Sequence, residues 1–242
     1  AAGLKPVFAV YSSFLQRGYD QIVHDVCMQN LPVVFAIDRA GLVGSDGETH
    51  QGAFDMAYLS HIPNMTVLSP KNKWELADML RFAVKHDGPI AVRYPRGTAY
   101  DGLQDYREPI VLGKSEVIHE EREIAIFSVG HMMEEAYKVW EALKSKGYSC
   151  SLINSRFIKP MDEEVLRRMA KTHKLFVTIE EGVEAGGYGE RVSSYVLKEE
   201  IPVKVLVNAI PDRYVEQGNI ARLRKEILLD ADYMVEKIVN AY

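Results

Sequence analysis

Residues 32–38 read Pro-Val-Val-Phe-Ala-Ile-Asp, an apolar run that closes on a charged side chain. Its length and β-branched content predict a strand that is buried on both faces, as in a parallel sheet. The first half of the sequence repeats this kind of run three times, with helical patterns between the runs. The further strands predicted are Pro6–Val10, Met65–Leu68 and Pro89–Arg93, and the helices are Phe14–Gln29 and Lys73–Lys85. This alternation indicates βαβ units, and we expect all four strands to be buried on both faces.

The second half of the sequence carries its own alternating series. It begins after Thr98–Gly113, a predicted interdomain linker in which Gly, Pro, Asp and Tyr accumulate without a strand or helix repeat. The strands predicted are Glu123–Val129, Ser149–Asn154, Leu175–Glu180 and Val203–Asn208, and the helices are Glu134–Lys146, Asp162–Lys171, Tyr188–Lys198 and the final Ile220–Tyr242. The chain is therefore predicted to be an α/β protein of two three-layer domains with mainly parallel sheets, residues 1–110 and 111–242.

Composition excludes several classes of protein. The 242 residues include 29 Lys and Arg against 34 Asp and Glu, a net charge of −5, and the basic residues are scattered singly, so nucleic-acid binding is not expected. No apolar run approaches the ~18 residues of a membrane span. Cys27 and Cys150 have no companion at zinc-site spacing, which favours a cytoplasmic location without a disulfide framework. Because the sequence opens on Ala1 rather than Met, we expect an upstream part to be missing.

Polar side chains follow three of the predicted strands in the first half, at the point where each strand ends. Tyr11 begins the first of these segments, Asp38–Gly52 is the second, and Arg93–Gly97 is the third. Ligands of open parallel sheets bind beyond the carboxyl ends of the strands, so these segments are expected to form one site. The side chains expected there are Tyr11, Arg17, Arg39, Asp46, His50 and Arg96.

The residue types in these segments suit a small anionic substrate. Arginine has a planar, permanently charged fork that matches carboxylate and phosphate oxygens, and three arginines are predicted at this edge. His50 can move a proton near neutral pH, and Asp46, four residues earlier, can orient it or hold a substrate hydroxyl. The sequence therefore predicts a site for a small phosphorylated or carboxylated metabolite.

Other motifs are weaker candidates. Gly182–Gly189 does not match the dinucleotide-binding fingerprint, and close packing of a helix on a strand explains its glycines better. Glu180 and Glu181 are adjacent in a strand and are expected to point to opposite faces, which argues against a shared acid–base role. Met132 and Met133 are expected to fill the core. No metal site is expected, because the histidines considered lack companions at ligand spacing; these are His24, His61, His86, His119 and His173.

Taken together, the three segments resemble the family of 1-deoxy-D-xylulose-5-phosphate synthases, transketolase-like enzymes that depend on thiamine diphosphate. The resemblance rests on three runs in their order and spacing: Tyr11-Ser-Ser-Phe-Leu-Gln-Arg-Gly-Tyr-Asp-Gln, Asp38-Arg-Ala-Gly-Leu-Val-Gly-Ser-Asp-Gly-Glu-Thr-His-Gln-Gly-Ala-Phe-Asp55 and Arg93-Tyr-Pro-Arg-Gly97. It covers the whole chain. It implies a pyrimidine-binding domain up to about residue 110, followed by the transketolase C-terminal domain.

The resemblance also implies a reaction and roles for single residues. The family joins pyruvate to glyceraldehyde 3-phosphate, with loss of carbon dioxide, to give a precursor of isoprenoids, thiamine and pyridoxal. By motif, Phe14 is expected to stack on the aminopyrimidine of the cofactor, and Tyr11 and Arg17 to line the substrate channel. Arg39 and Arg96 are expected to hold the substrate phosphate. His50 and Asp46 are expected to contact the pyruvate-derived part and the acceptor, with His50 as the proton carrier.

Some parts of the family's site have no counterpart in this sequence. The family carries an activating glutamate, in a Glu-Gln-His run, just upstream of the position that matches Ala1, and an amino-terminal domain with a Gly-Asp-Gly segment that binds Mg²⁺ and the diphosphate. The chain alone is therefore expected neither to bind thiamine diphosphate tightly nor to turn over, and to need the amino-terminal portion as a partner. The resemblance further implies a homodimer.

Two other interpretations stay open from the sequence. A β-type subunit of a 2-oxo acid dehydrogenase has the same two domains, but it would need the upstream glutamate and would not need a phosphate-binding pair such as Arg39 and Arg96. A non-catalytic interaction module would use its buried faces only for assembly. The second half fits such a role, because its sequence offers no convincing catalytic cluster.

Overall fold

The computed structural model describes residues 2–242 and contains two five-stranded sheets. The first sheet has the strand order β1-β2-β4-β3-β8. Its strands are β1 (Val7–Tyr11), β2 (Val34–Asp38), β3 (Thr66–Leu68), β4 (Ile90–Arg93) and β8 (Phe157–Lys159). The helices of this half are α1 (Ser12–Leu15), α2 (Tyr19–Gln21), α3 (Asp55–Ser60) and α4 (Lys73–Ala83).

The second sheet has the order β10-β9-β6-β7-β5. Its strands are β5 (Glu116–His119), β6 (Glu123–Ser128), β7 (Cys150–Asn154), β9 (His173–Val183) and β10 (Lys204–Ile210). The helices are α5 (Met133–Ser145), α6 (Glu163–Met169), α7 (Tyr188–Lys198), α8 (Ile220–Glu226) and α9 (Ala231–Ala241). All neighbouring strands in both sheets are parallel except one outermost pair in each sheet, β3 with β8 and β5 with β7. The predicted fold class, α/β with mainly parallel sheets, is confirmed.

The register of the first sheet aligns the strand ends that matter for function. Tyr11 at the end of β1 lies opposite Asp38 at the end of β2, and Ile37 lies opposite Arg93 at the end of β4. Because the three strands are parallel, the segments that follow them leave the same edge of the sheet.

The structure corrects the expectation that all four strands of the first half are buried. Strands β2, β3 and β4 are buried, but β1 is an edge strand whose Val7 and Phe8 side chains are 54% and 50% exposed. Apolar content alone does not distinguish a central strand from an edge strand, because both can be rich in valine and phenylalanine.

Several predicted elements differ in extent. The helix predicted over Phe14–Gln29 is a helical run over residues 12–27 that changes winding, with a 3₁₀ turn at Gln16–Gly18 and a wider π-helical stretch at Ile22–Cys27. The final helical segment is divided into α8 and α9, with Leu228 between them at a positive φ of 64°. Strands β5 and β8 were not predicted, since each is a short strand at the edge of its sheet.

The two halves are in direct contact. Residues 94–115 contain no helix or strand, as expected of a connection, but β8 comes from the second half of the chain and extends the first sheet. A buried polar cluster also joins the halves: Arg156 Nε and Lys71 Nζ lie 2.7 and 3.1 Å from Glu75 Oε1, and Glu116 accepts from Lys71 at 2.6 Å. The Gly182–Gly189 segment has the packing role expected, because an added Cβ at Gly189 would overlap Thr178 in the strand beneath it.

Candidate active site at the carboxyl edge of the first sheet

The segment after β2 forms a closed loop, residues 39–52, which we call the site loop. Gly41 and Gly52 close its neck through two backbone hydrogen bonds of 2.8 and 2.7 Å. Gly52 has no room for a side chain, because an added Cβ would overlap the Arg39 carbonyl oxygen. Arg93, at the end of β4, anchors the neck from below by donating to the Gly52 carbonyl oxygen and to the Asp55 carboxylate.

Two arginines meet at one aspartate within this site. The Arg39 guanidinium lies 3.7 Å from the centre of the Tyr11 ring and 2.7 Å from Asp38 Oδ2. Asp46 faces Arg39 Nε at 3.7 Å and Arg96 Nη1 at 3.3 Å. Both of these separations exceed the length of a strong charge-assisted hydrogen bond, so Asp46 holds the arginines loosely. Arg39 Nε makes no hydrogen bond within the described residues.

An aromatic side chain links this ionic group to the other predicted residues. Phe14 stacks on Tyr11 with ring centres 5.4 Å apart and meets His50 edge-on at 5.3 Å. The Arg17 guanidinium lies 5.5 Å from the centre of the Phe14 ring. Phe14 is 40% exposed, and His50 Nδ1 lies 2.9 Å from Thr49 Oγ1. The structure thus brings all seven predicted residues into one continuous set of contacts.

The charge of this group favours an anion. The contacts of this group include three arginines, Arg17, Arg39 and Arg96, and two aspartates, Asp38 and Asp46, while Glu48 of the site loop is exposed to solvent. The Arg96 and Asp46 side chains are 40% and 29% exposed, so a ligand that enters from solvent can reach their charges.

A second group of residues, which could not be identified from the sequence, reaches the site loop from the other half of the chain. Glu181, 1% exposed, accepts hydrogen bonds from the Leu42 backbone N–H at 2.8 Å, from Arg224 at 2.7 Å, and pairs with His131 at 2.7 Å. Burial alone would raise the pKa of Glu181, but the charges of His131 and Arg224 outweigh it and hold that pKa below its usual range.

The neighbouring Glu180 points to the opposite face of β9, as expected from strand alternation. It is completely buried, and its carboxylate accepts from the backbone N–H groups of Tyr188 and Gly189 at the start of α7. Burial raises the pKa of Glu180 to about 7, against the opposing effect of those hydrogen bonds. The structure therefore confirms the prediction that the two carboxylates lie on opposite faces of the strand, where they bind different partners.

Within residues 2–242, no group of three or more His, Cys, Asp or Glu side chains is placed to hold a metal ion. In the same part of the chain, no helix combines the length and the apolar character needed to cross a membrane. Cys27 and Cys150 are both buried free thiols.

The structure thus contains two mainly parallel sheets with helices and an arginine-lined loop cluster beyond the carboxyl edge of the first sheet. The sequence matches the family described as "Transketolase, pyrimidine binding domain" over residues 1–100 and "Transketolase, C-terminal domain" over residues 113–234. The chain belongs to the transketolase family.

Comparison with known proteins confirms the narrower resemblance. The chain is 53% identical over 239 residues to a 1-deoxy-D-xylulose-5-phosphate synthase of Lachnoclostridium phytofermentans, and 46% identical to the Clostridium tetani protein of that name. These alignments cover 98% and 99% of this chain but only 38% of each relative, so the chain spans less than half of their length.

Solved structures agree with the fold. A protein described as "Split gene transketolase, inactive beta4 tetramer" superposes with a TM-score of 0.90 at 25% identity, over 99% of this chain and 77% of the other. Transketolase from Campylobacter jejuni gives a TM-score of 0.79 at 14% identity, over 97% of this chain and 35% of the other, which supports the fold alone.

Proposed function

We propose that the chain forms the pyrimidine-side and substrate-binding part of a 1-deoxy-D-xylulose-5-phosphate synthase. In this role it helps to join pyruvate to glyceraldehyde 3-phosphate, with release of carbon dioxide, in the supply of isoprenoid, thiamine and pyridoxal precursors. One observation carries the proposal: Arg39 and Arg96 both lie beside Asp46. Through Arg39 and Tyr11, this pair is connected by contacts to Phe14 and His50.

Arg39 and Arg96 are the proposed phosphate ligands. A phosphate dianion offers three oxygen acceptors and accepts the two forks in charge-assisted hydrogen bonds, which are stronger than the loose contacts with Asp46. Arg39 Nε is buried, makes no hydrogen bond within the described residues and faces Asp46 at 3.7 Å, so it would gain an acceptor if a phosphate oxygen took the place of that carboxylate. Once the arginines turn to the phosphate, Asp46 is free to accept a hydrogen bond from a hydroxyl of the acceptor aldehyde.

Phe14 is the proposed contact for the cofactor. Its half-exposed ring, at the carboxyl edge of the sheet and beside His50, fits an aromatic heterocycle stacked on its open side. Thiamine diphosphate, when bound, supplies the carbanion chemistry that removes carbon dioxide from a 2-oxo acid. The residues of this chain do not fit a Mg²⁺ site within the described part, so the proposal assigns the metal and diphosphate ligands to the rest of the enzyme.

His50 and Asp46 are the proposed proton-handling pair, and Tyr11 and Arg17 the walls of the substrate channel. An imidazole exchanges protons readily near neutral pH, which suits delivery of a proton to the acceptor oxygen as the carbon–carbon bond forms. Thr49 Oγ1, 2.9 Å from His50 Nδ1, orients the ring so that Nε2 is the atom left for the substrate.

The proposal includes a partner, because the chain spans 38% of the relatives' length. We expect it to be inactive alone and to need the amino-terminal portion of the enzyme; the similar structure described as "Split gene transketolase, inactive beta4 tetramer" fits this expectation. A homodimer of the complete enzyme is implied by the family, and a cytoplasmic location fits two free buried thiols.

The test is carbon dioxide release from pyruvate, with and without glyceraldehyde 3-phosphate. It is measured for the chain alone and for the chain mixed with the amino-terminal portion of a relative, thiamine diphosphate and Mg²⁺. Release that appears only in the mixture and increases with the aldehyde supports the synthase. His50→Ala should abolish most of it, whereas His24→Ala should not, because His24 is exposed, pairs with Asp20 and has no part in the contacts described for the site.

The alternatives give different results in the same assay. A β-type subunit of a 2-oxo acid dehydrogenase would release carbon dioxide without any dependence on the phosphorylated aldehyde. An assembly module would leave the activity of the mixture unchanged when Arg39→Ala or His50→Ala is introduced.

A further inference from the structure

The carboxyl end of β9, from the second half of the chain, runs directly beneath the site loop. The Val183 backbone N–H donates to the Ala53 carbonyl oxygen at 2.9 Å, and the Glu181 carbonyl oxygen accepts from Arg93 at 3.2 Å. The Glu181 side chain goes further and reaches the backbone N–H of Leu42 at 2.8 Å, inside the loop.

Both oxygens of the Glu181 carboxylate are fully engaged. Oε2 accepts from Leu42 and lies 2.7 Å from His131 Nε2, while Oε1 accepts from Arg224 at 2.7 Å. Arg224 in turn lies 3.6 Å from Glu135, so the carboxylate is held in place from two sides. A buried carboxylate with this set of donors is rigid, and the loop backbone that binds to it shares that rigidity.

The neck of the loop is shaped to receive this carboxylate. Gly41 has a φ of +78°, and an added Cβ would overlap Glu181 Oε2 and lie 3.0 Å from His131 Cε1. The same glycine makes both neck hydrogen bonds with Gly52. Contact with Glu181 therefore fixes the position of the neck, and with it the position of Asp46 and His50 farther along the loop.

We propose that Glu181 is a positioning residue for the reaction, which holds the site loop so that Asp46 and His50 meet the substrate in a productive arrangement. The kinetic part of this inference rests on the proposed function, and the structural part does not. Uncharged hydrogen bonds also hold the loop in place. The Gln51 side chain accepts from the Val43 N–H at 2.7 Å and donates to the Glu216 carbonyl oxygen at 3.1 Å. Loss of Glu181 should therefore shift the loop without releasing it.

The test compares Glu181→Gln with Glu180→Gln. These neighbours are both buried, undergo the same change and lie on opposite faces of β9, but only Glu181 touches the loop. The amide introduced by E181Q keeps one accepting oxygen for three donors. We expect amide hydrogen exchange at Leu42, measured on the chain itself, to become about tenfold faster in E181Q and to stay unchanged in E180Q.

In the mixture with the amino-terminal portion, kcat of E181Q should fall about tenfold, because a small displacement of a proton-transfer group acts mainly on the transition state. Unchanged Leu42 exchange, or a kcat equal to that of E180Q at equal folded fraction, would overturn the inference. If E181Q does not fold, Gly41→Ala separates the loop from the carboxylate and should give the same two changes. A wild-type mixture without activity would refute the proposed function, while the exchange measurement would still decide the role of Glu181.

Discussion

The carboxyl ends of the parallel strands face an open edge in the first sheet and the neighbouring domain in the second. In the first sheet, β1 ends at Tyr11 and β2 leads into Arg39; both side chains remain partly exposed, and the Arg39 guanidinium stacks on the Tyr11 ring at 3.7 Å. In the second, β7 and β9 end in polar residues that bind the other half: Asn154 donates to Glu75 and Glu181 accepts from Leu42.

This difference teaches that strand-end topology supplies polar residues, whereas burial decides their use. A buried carboxylate must find donors within the protein, so at the second edge the charges satisfy each other and join the domains. At the first edge Arg39 is paired closely with Asp38, but the contacts of Asp46 with Arg39 and Arg96 are longer, at 3.7 and 3.3 Å, so a ligand can compete for those two. Substitutions at the two edges should therefore differ in their effect on stability and on substrate binding.

Arg156→Ala should have the largest effect on stability. Arg156 is 2% exposed, lies 2.7 Å from Glu75 and 2.9 Å from Glu116, and also donates to the carbonyl oxygens of Pro109 and Glu108. Its removal leaves two buried carboxylates with the charge of Lys71 and the neutral amide of Asn154, which is expected to cost about 3–5 kcal/mol in the free energy of unfolding. Urea denaturation of the chain measures this loss.

Arg39→Ala is the matched control for this prediction, because it removes the same side chain from the open edge. Its partners Asp38 and Asp46 remain in contact with water, so the loss of stability should be about 1 kcal/mol or less. Equal losses at the two positions would contradict the division between a docking edge and a ligand edge.

The two buried glutamates should affect the free energy of unfolding in opposite ways as the pH changes, with an effect of about 3 kcal/mol. The folded pKa of Glu180, about 7, exceeds its ordinary value of 4.5, so its stabilising contribution is complete below pH 4.5 and is lost as the pH rises through 7. Relative to wild type, E180Q should gain stability on the order of 3 kcal/mol between pH 4 and pH 8. Urea denaturation at both pH values provides the measurement.

Glu181 serves as a control, because its contribution to stability should change with pH in the opposite direction. Its pKa lies below its usual range, so its contribution is present above pH 4.5 and is lost only as the pH falls further. E181Q should therefore be less stable than wild type throughout pH 5–8. A difference between E180Q and wild type that does not change with pH would refute the raised pKa of Glu180 in the folded protein.

The sequence was sufficient for the first edge and insufficient for the second. Apolar runs followed by polar segments predict both the strands and the edge where their ends meet, which is why Tyr11, Arg39 and His50 could be grouped without coordinates. Glu181 could not be assigned in this way. Its partner Leu42 is 139 positions away and contributes only a backbone N–H, which leaves no trace in side-chain identity.

Short edge strands and helix breaks were missed for a related reason. Strand β8 is three residues long and is defined by its pairing with β3, a tertiary contact that local periodicity does not contain. The exposure of β1 likewise depends on its place at the edge of the sheet. What the chain encodes locally was predictable, and what depends on docking of the two halves was not.

Arg96→Met should act on substrate binding with little effect on stability. If Arg96 binds the substrate phosphate, the mixture that contains this variant should lose about 2 kcal/mol of acceptor binding, a roughly thirtyfold higher KM for glyceraldehyde 3-phosphate. Unphosphorylated glyceraldehyde is the matched control, because wild type and variant should use it about equally well. A loss of the same size with both aldehydes would assign Arg96 to the architecture of the site loop instead.

The smallest effect is expected at the amino edge of the second sheet, where Lys144 lies 2.6 and 2.7 Å from the two oxygens of Glu121. The geometry is as short as that of Arg156 with Glu75, but the side chains are 35% and 33% exposed, against 2% for both partners of the buried pair. Water solvates both charges when the pair separates, and no carboxylate is left buried.

Lys144→Met should therefore cost about 0.5 kcal/mol in the free energy of unfolding, and the cost should shrink further in about 1 M salt, where exposed charges are screened. Urea denaturation at low and high salt measures both values. A loss as large as that of Arg156→Ala would mean that contact distance, rather than burial, sets the strength of these ion pairs.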